Sequence, residues 1–113
     1  MNVTILGAGS WGSALSLVLS YNQNCSIELY NYNNYYNSHN SFKYLENISI
    51  PSNVKVISSL EDIKNPDIIF ITLPTEHIDS TLSNLKRLSP LSFNSKTIWV
   101  NCSKGFDSKF NQR

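Results

Sequence analysis

Apolar residues in this chain come in short runs separated by polar, turn-forming sequence. The longest run, residues 67–73, is almost uninterrupted, as expected for a parallel strand that is covered on both faces. Shorter runs rich in valine and isoleucine precede and follow it, and Pro74 ends the central run. The pattern therefore predicts β-strands at residues 3–6, 27–30, 54–57, 67–73 and 97–100.

Between these runs, apolar residues twice recur at helical spacing. The first predicted helix ends near residues 21–22, and its apolar positions are Ala14, Leu15, Val18 and Leu19. The second ends before Pro90, and its apolar positions are Ile78, Leu82, Leu85 and Leu88. Ser10 and Thr75 are placed to cap the two helices, and a short helical segment is expected at residues 60–63.

Strands that alternate with helices predict an α/β fold, a Rossmann-type doubly wound and mainly parallel sheet with right-handed crossovers. In that architecture ligands bind beyond the carboxyl ends of the strands. Those ends are the glycine-rich turn after the first strand and residues 31–32, 73–74 and 102–105. We therefore expect these four segments to lie together along one cleft.

The glycine-rich turn has the sequence GAGSWG at residues 7–12, directly after a strand and directly before a helix. In this context Gly7 permits a tight turn, Gly9 lets the backbone approach a pyrophosphate, and Gly12 lets the helix pack closely on the strand. The N–H groups at the start of the helix are donors for an anion. A turn without any ligand is the alternative, but three glycines at this spacing are a poor choice for a turn that has no other task.

Composition narrows the class of protein. The 113 residues suffice for one domain or part of one, and the net charge of +1 with scattered lysines argues against a nucleic-acid partner. Cys25 and Cys102 are not spaced as a metal pair. The longest apolar stretch of the helices, residues 14–19, is too short to span a membrane, and nothing resembles a signal peptide. We therefore expect a cytoplasmic protein without a metal or a membrane partner.

Several short segments, taken in order, resemble soluble NAD(P)-dependent glycerol-3-phosphate dehydrogenase. They are GAGSWG at 7–12, FKYL at 42–45, IPSNV at 50–54, LP at 73–74 and SKG at 103–105, and the resemblance covers the whole chain in register. The resemblance implies that residues 1–113 are an incomplete N-terminal nucleotide-binding domain, with the helical substrate domain absent from this chain. The family uses NAD or NADP to interconvert dihydroxyacetone phosphate and sn-glycerol 3-phosphate, a precursor of phospholipids, and a homodimer is expected for the full-length enzyme.

The resemblance also assigns roles near the glycine turn. It places the aromatic side chain of Trp11 against the cofactor, whereas packing on a neighbouring loop is the structural alternative. Ser10 is placed both to cap the helix and to donate a hydrogen bond to a phosphate of the cofactor. His77 follows Pro74 in the first turn of the second helix and is implied as a cofactor contact, although a histidine at such a position is more often simply solvated.

Tyr32 follows the second strand, where the ribose of the adenosine would lie. An NAD site usually has Asp or Glu near this position and an NADP site often has Arg, but residues 31–33 read Asn-Tyr-Asn. The resemblance implies that Tyr32 contacts the adenosine, and a surface tyrosine is the alternative. The choice between NAD and NADP therefore stays open.

Lys104 lies between Ser103 and Gly105 at the mouth of the last strand. There it can place a point charge in a cleft occupied by anions. The resemblance assigns it contacts with both the cofactor and the phosphate of the substrate, and an ordinary surface lysine is the alternative. No residue of the chain is expected to act as the catalytic acid or base.

Two other functions are compatible with these residues. One is a dehydrogenase of the 6-phosphogluconate or 3-hydroxyacid type, which would share the fold and the glycine turn. The other is a non-catalytic NAD(P)-binding module. The segments at 42–45 and 103–105 favour glycerol-3-phosphate dehydrogenase over the first of these.

Overall fold

The computed structural model describes residues 1–31, 48–63, 65–88 and 96–103. Within these ranges the chain alternates strands and helices, with a 3-10 turn at Leu60–Asp62. The elements in chain order are β1 (Asn2–Leu6), α1 (Ser10–Ser20), β2 (Ser26–Tyr30), β3 (Val54–Ile57), β4 (Ile68–Ile71), α2 (Thr75–Leu88) and β5 (Ile98–Asn101). The five strands agree with those predicted from the apolar runs, although β4 is shorter than expected at both ends.

The strands form one parallel sheet in the order β3-β2-β1-β4-β5. Strand β1 lies between β2 and β4, so successive strands are added outward in both directions from it. The order reverses at β1, and this is the switch point at which doubly wound sheets bind their ligands. The predicted α/β, Rossmann-type doubly wound sheet is therefore confirmed.

Two apolar layers cover the two faces of the sheet. One layer packs against Leu15, Leu17 and Leu19 of α1, and its buried members are Val3, Ile5, Ala8, Cys25, Ile27, Leu29 and Val54. The other packs against Ile78 and Leu82 of α2, and its buried members are Leu6, Ile57, Leu60, Ile63, Ile69, Ile71, Leu73 and Leu85. Strand β1 contributes Val3 and Ile5 to the first layer and Leu6 to the second, so both of its faces are covered.

The face that α1 presents to the sheet agrees with the predicted one at Leu15 and Leu19 but differs from it elsewhere. Its buried positions are Gly12, Ser13, Ser16 and Ser20. Val18 was expected on the buried face, but its side chain is 64% exposed. Small residues occupy the inward face because the helix begins so close to the sheet, and the Ser16 hydroxyl donates to the carbonyl oxygen of Ser13 at 2.8 Å instead of remaining unpaired.

The helix starts also differ from the prediction. Gly9, not Ser10, is the N-cap of α1, and no side chain caps that end, because Ser10 is already the first helical residue. Thr75, which was expected to cap the second helix, is likewise the first helical residue of α2. The predicted face of α2 is confirmed at Ile78, Leu82 and Leu85, whereas the side chain of Leu88 lies outside the described part. Neither α1 nor α2 combines the length and the apolar character that crossing a membrane requires.

Candidate functional site

The glycine turn leaves the carboxyl end of β1 at the switch point of the sheet. Gly7 has a φ of +125°, a conformation that side-chain-bearing residues rarely adopt. Its N–H donates to the carbonyl oxygen of Tyr30 at 3.2 Å, which ties the turn to the end of β2. A Cβ at this position would lie 2.8 Å from Oγ1 of Thr72, so only glycine fits. The tight turn predicted for Gly7 is therefore present.

At Gly12 the first turn of α1 lies very close to the end of β1. A Cβ built on it would overlap the carbonyl oxygen of Gly7 and would lie 2.8 Å from Oγ1 of Thr72. Both contacts involve groups that other interactions hold in place. The close packing predicted for Gly12 is present, and it fixes where the first turn of α1 begins.

Gly9 differs from the other two glycines of the turn. Its φ of −73° and ψ of −166° are accessible to any residue, and a Cβ there would meet nothing within 4 Å. The fold itself therefore does not require glycine at position 9. A glycine here does, however, leave the space at position 9 free of side-chain atoms, next to the N-terminal N–H groups of α1.

The carbonyl groups of the turn point toward two hydroxyl side chains that the sequence reasoning did not single out. The Thr72 hydroxyl lies 3.1 Å from the carbonyl oxygen of Leu6 and 2.9 Å from that of Gly7. The Ser13 hydroxyl donates to the carbonyl oxygen of Ala8 at 3.2 Å. The only sequence signal for Thr72 is a polar residue that follows an apolar strand, which by itself is not specific.

The remaining predicted site residues of the turn lie on its outer side. Ser10 is exposed, and Trp11 is 55% exposed although its side chain is large and apolar. An exposed indole next to the turn is compatible with contact to a bound molecule. His77 lies in the first turn of α2, beyond the carboxyl end of β4, and its side chain is exposed. The three residues are therefore accessible from the edge at which the strands end.

The end of β5 is attached to the end of β4. The N–H of Cys102 donates to the carbonyl oxygen of Ile71 at 2.8 Å, and the Ser103 hydroxyl donates to that of Leu73 at 2.6 Å. The N–H of Ser103 donates to Oδ1 of Asn101 at 2.9 Å. Ser103 therefore fixes the direction of the chain immediately before residue 104, at the same edge as the glycine turn.

Two predicted site residues, Tyr32 and Lys104, lie outside the described residues, as does the segment at 42–45. Each of the two residues follows a described residue at the carboxyl edge of the sheet. Asn31 is buried, and its N–H donates to the carbonyl oxygen of Ile57 at 2.8 Å beside the end of β2. Within the described ranges, no group of three or more His, Cys, Asp and Glu residues is arranged to hold a metal ion.

Comparisons with known proteins agree on the fold and identify the family. Residues 2–113 match the family model described as NAD-dependent glycerol-3-phosphate dehydrogenase N-terminus. Proteins named glycerol-3-phosphate dehydrogenase [NAD(P)+] are similar over nearly the whole chain. The one from Orientia tsutsugamushi (strain Boryong) is 34% identical over 112 residues, which are 95% of this chain and 33% of that protein. The one from Listeria monocytogenes serotype 4a (strain HCC23) is 34% identical over 116 residues, 98% of this chain and 33% of that protein.

Solved structures with the same fold include a putative ketopantoate reductase from Ralstonia solanacearum MolK2, with a TM-score of 0.65 and 13% identity over 89% of this chain and 31% of that one. A putative 2-dehydropantoate 2-reductase from Enterococcus faecalis has a TM-score of 0.60 and 16% identity, covering 89% of this chain and 33% of that one. At this identity the similarity concerns the fold alone.

The chain spans about a third of the length of the curated relatives that it matches. The family match over residues 2–113 shows that this chain belongs to the NAD-dependent glycerol-3-phosphate dehydrogenase family and corresponds to its N-terminal domain.

Proposed function

We propose that this chain is the dinucleotide-binding part of a sn-glycerol-3-phosphate dehydrogenase, which interconverts dihydroxyacetone phosphate and sn-glycerol 3-phosphate for phospholipid synthesis. The observation that carries the proposal is the glycine turn at the switch point of the sheet. Gly7 and Gly12 are required by the packing of the turn, but Gly9 is not. A pyrophosphate that approaches the backbone at position 9 accounts for the third glycine.

The arrangement of the elements suggests how the cofactor would lie. The pyrophosphate would accept hydrogen bonds from N–H groups at the start of α1, with the helix dipole favouring its negative charge. The adenosine would extend toward the end of β2, where Asn31 lies and Tyr32 follows. The nicotinamide would then extend toward the ends of β4 and β5, near Trp11 and His77. When bound, the nicotinamide ring supplies the hydride chemistry of the reaction.

In this proposal Lys104 neutralises phosphate charge next to Ser103. Reduction of a ketone also requires a group that donates a proton to the carbonyl oxygen. We assign that role to none of the residues of this chain, so the remaining length of the relatives would have to supply it. The 113-residue chain is therefore expected to bind the cofactor and not to turn over substrate.

Calorimetric titration of the chain with NADH and NADPH tests the binding. A saturable heat with at least one of the two supports the proposal, and no binding of either overturns it. Absorbance of NADH in the presence of dihydroxyacetone phosphate tests the division of labour. Turnover by the 113-residue chain would contradict the assignment of the proton donor to another part of the enzyme. If a protein of the relatives' full length binds NADH but lacks turnover, the non-catalytic alternative is correct.

A further inference from the structure

Hydroxyl groups contact the carbonyl oxygens of the last residue of β1 and of the first two residues of the glycine turn. Thr72 contacts those of Leu6 and Gly7, and Ser13 contacts that of Ala8. The backbone N–H of Thr72 also donates to the carbonyl oxygen of Leu6, at 3.0 Å. Thr72 is therefore fixed by its own backbone at the position from which its hydroxyl reaches the turn.

The orientation of these carbonyl groups decides what the turn presents to an anion. A peptide unit is planar and trans, so its N–H points away from its C=O. When the Gly7 carbonyl is directed at Thr72, the N–H of Ala8 is directed to the opposite side. When the Ala8 carbonyl is directed at Ser13, the same holds for the N–H of Gly9. A peptide flip at either position would instead direct a carbonyl oxygen at a bound phosphate. The partial negative charge of that oxygen would repel the anion.

Thr72 is the member of this pair that lies outside the turn and α1, directly after β4. Ser13 belongs to α1 and lies five residues from its acceptor, whereas Thr72 lies 65 residues from Gly7 in the sequence. The hydroxyl of Thr72 also occupies the space that a Cβ at Gly7 or Gly12 would need. The side chain is thus in contact with both glycines of the turn that the fold requires.

We infer that Thr72 is a positioning residue for dinucleotide binding, because its hydroxyl holds the carbonyl of Gly7 inward and so directs the N–H of Ala8 at the pyrophosphate. This inference rests on the proposed function. Thr72 itself does not touch the cofactor and acts only through the conformation of residues 6–8.

Three variants separate this role from general stability. Thr72→Val removes the hydroxyl and nearly keeps the volume, whereas Thr72→Ser keeps the hydroxyl. Thr97→Val is the matched control, because the Thr97 hydroxyl donates to the carbonyl oxygen of Pro66 at 2.9 Å beside the start of β5, away from the glycine turn. The affinities of wild type and variants for NADH and NADPH are measured by calorimetry, well below the unfolding midpoint that thermal melting gives for each protein.

We expect Thr72→Val to weaken NADH and NADPH by the same factor of about ten, because the pyrophosphate is common to both and one neutral hydrogen bond has roughly this effect. Thr72→Ser should stay within about threefold of wild type and Thr97→Val within about twofold, on the same scale. Wild-type affinity in Thr72→Val would overturn the inference. Equal losses in Thr72→Val and Thr72→Ser would overturn it as well, since the methyl group and not the hydroxyl would then matter. Absence of binding in the wild type alone would instead show that the proposed function is wrong, and the inference with it.

Discussion

Gly12 at the start of α1 faces the carbonyl oxygen of Gly7 so closely that a Cβ on Gly12 would overlap it. The same Cβ would lie 2.8 Å from Oγ1 of Thr72. The Thr72 hydroxyl and the Gly7 carbonyl oxygen are joined by a hydrogen bond of 2.9 Å, so a shift of either group away from a Cβ on Gly12 would break this bond. The first turn of α1, the end of β1 and the residue after β4 are therefore packed around a position that has room for hydrogen only.

Gly12→Ala is expected to destabilise the protein by about 2–4 kcal/mol, since it combines overpacking with the loss of the partly buried hydrogen bond between Thr72 and Gly7. Ordinarily alanine is favoured over glycine inside a helix by about 1 kcal/mol. A loss of stability in Gly12→Ala would therefore point to the packing at this position and not to helix propensity. Urea unfolding of the variant measures the effect. A variant as stable as the wild type would contradict the packing described for this position.

Gly9→Val should behave in the opposite way. A Cβ at Gly9 meets no atom within 4 Å, so folding should change by only about 1 kcal/mol, the effect of a poorer N-cap residue. The added side chain fills the space that we assign to the pyrophosphate, and binding of NADH should be lost. Calorimetry and urea unfolding of the same preparation separate the two effects. Unchanged NADH affinity would show that the turn has only a structural role.

Asn53 joins the turn after α1 to the start of β3. Its side-chain amide donates to the carbonyl oxygen of Ser20 at 3.0 Å and to that of Cys25 at 3.1 Å. Asn53→Ala leaves these partly buried acceptors without the amide and should cost about 1–3 kcal/mol of unfolding free energy. Asn24→Ala, the same change at an exposed asparagine, is the control and should be nearly neutral. Similar losses in both variants would contradict a specific role for Asn53.

Selectivity between the two cofactors is expected to be weak. Residues 31–33 contain neither the acid that holds the ribose of NAD nor the arginine that accommodates the extra phosphate of NADP. Dissociation constants for NADH and NADPH should therefore lie within about tenfold, a difference below about 1.4 kcal/mol. A hundredfold preference for either would show that residues other than 31–33 read the 2′ position.

Lys104 is expected to matter in a protein of the relatives' full length. A lysine on a desolvated phosphate contributes about 1.5–3 kcal/mol, so Lys104→Ala should lower kcat/KM for dihydroxyacetone phosphate by roughly tenfold to several hundredfold. Lys109→Ala removes the same charge a few residues further along and should have almost no effect. Steady-state oxidation of NADH measures both variants. Equal rates would identify Lys104 as an ordinary surface lysine.

Hydrophobic pattern and local chemistry were sufficient to predict the sheet and the place of the glycine turn. The apolar run at β4 is continuous because both faces of this strand are covered, and the order of residues shows this directly. The requirement for glycine at Gly7 and Gly12 was also readable, since a turn between a strand and a helix leaves room for few other residues. The patterns that predicted these features lie in neighbouring residues of the sequence.

Features that depend on distant parts of the chain were decided only by the tertiary structure. The fully buried positions of α1 hold small residues, because the helix begins too close to the end of β1 for a side chain at Gly12, and Val18 is exposed. Thr72 and Ser103 bind carbonyl groups 65 and 30 residues away, respectively. A hydroxyl group is compatible with many local environments, and no periodicity of the sequence reveals its partner. Only the register of the parallel strands brings these donors to the carbonyl groups that shape the carboxyl edge of the sheet.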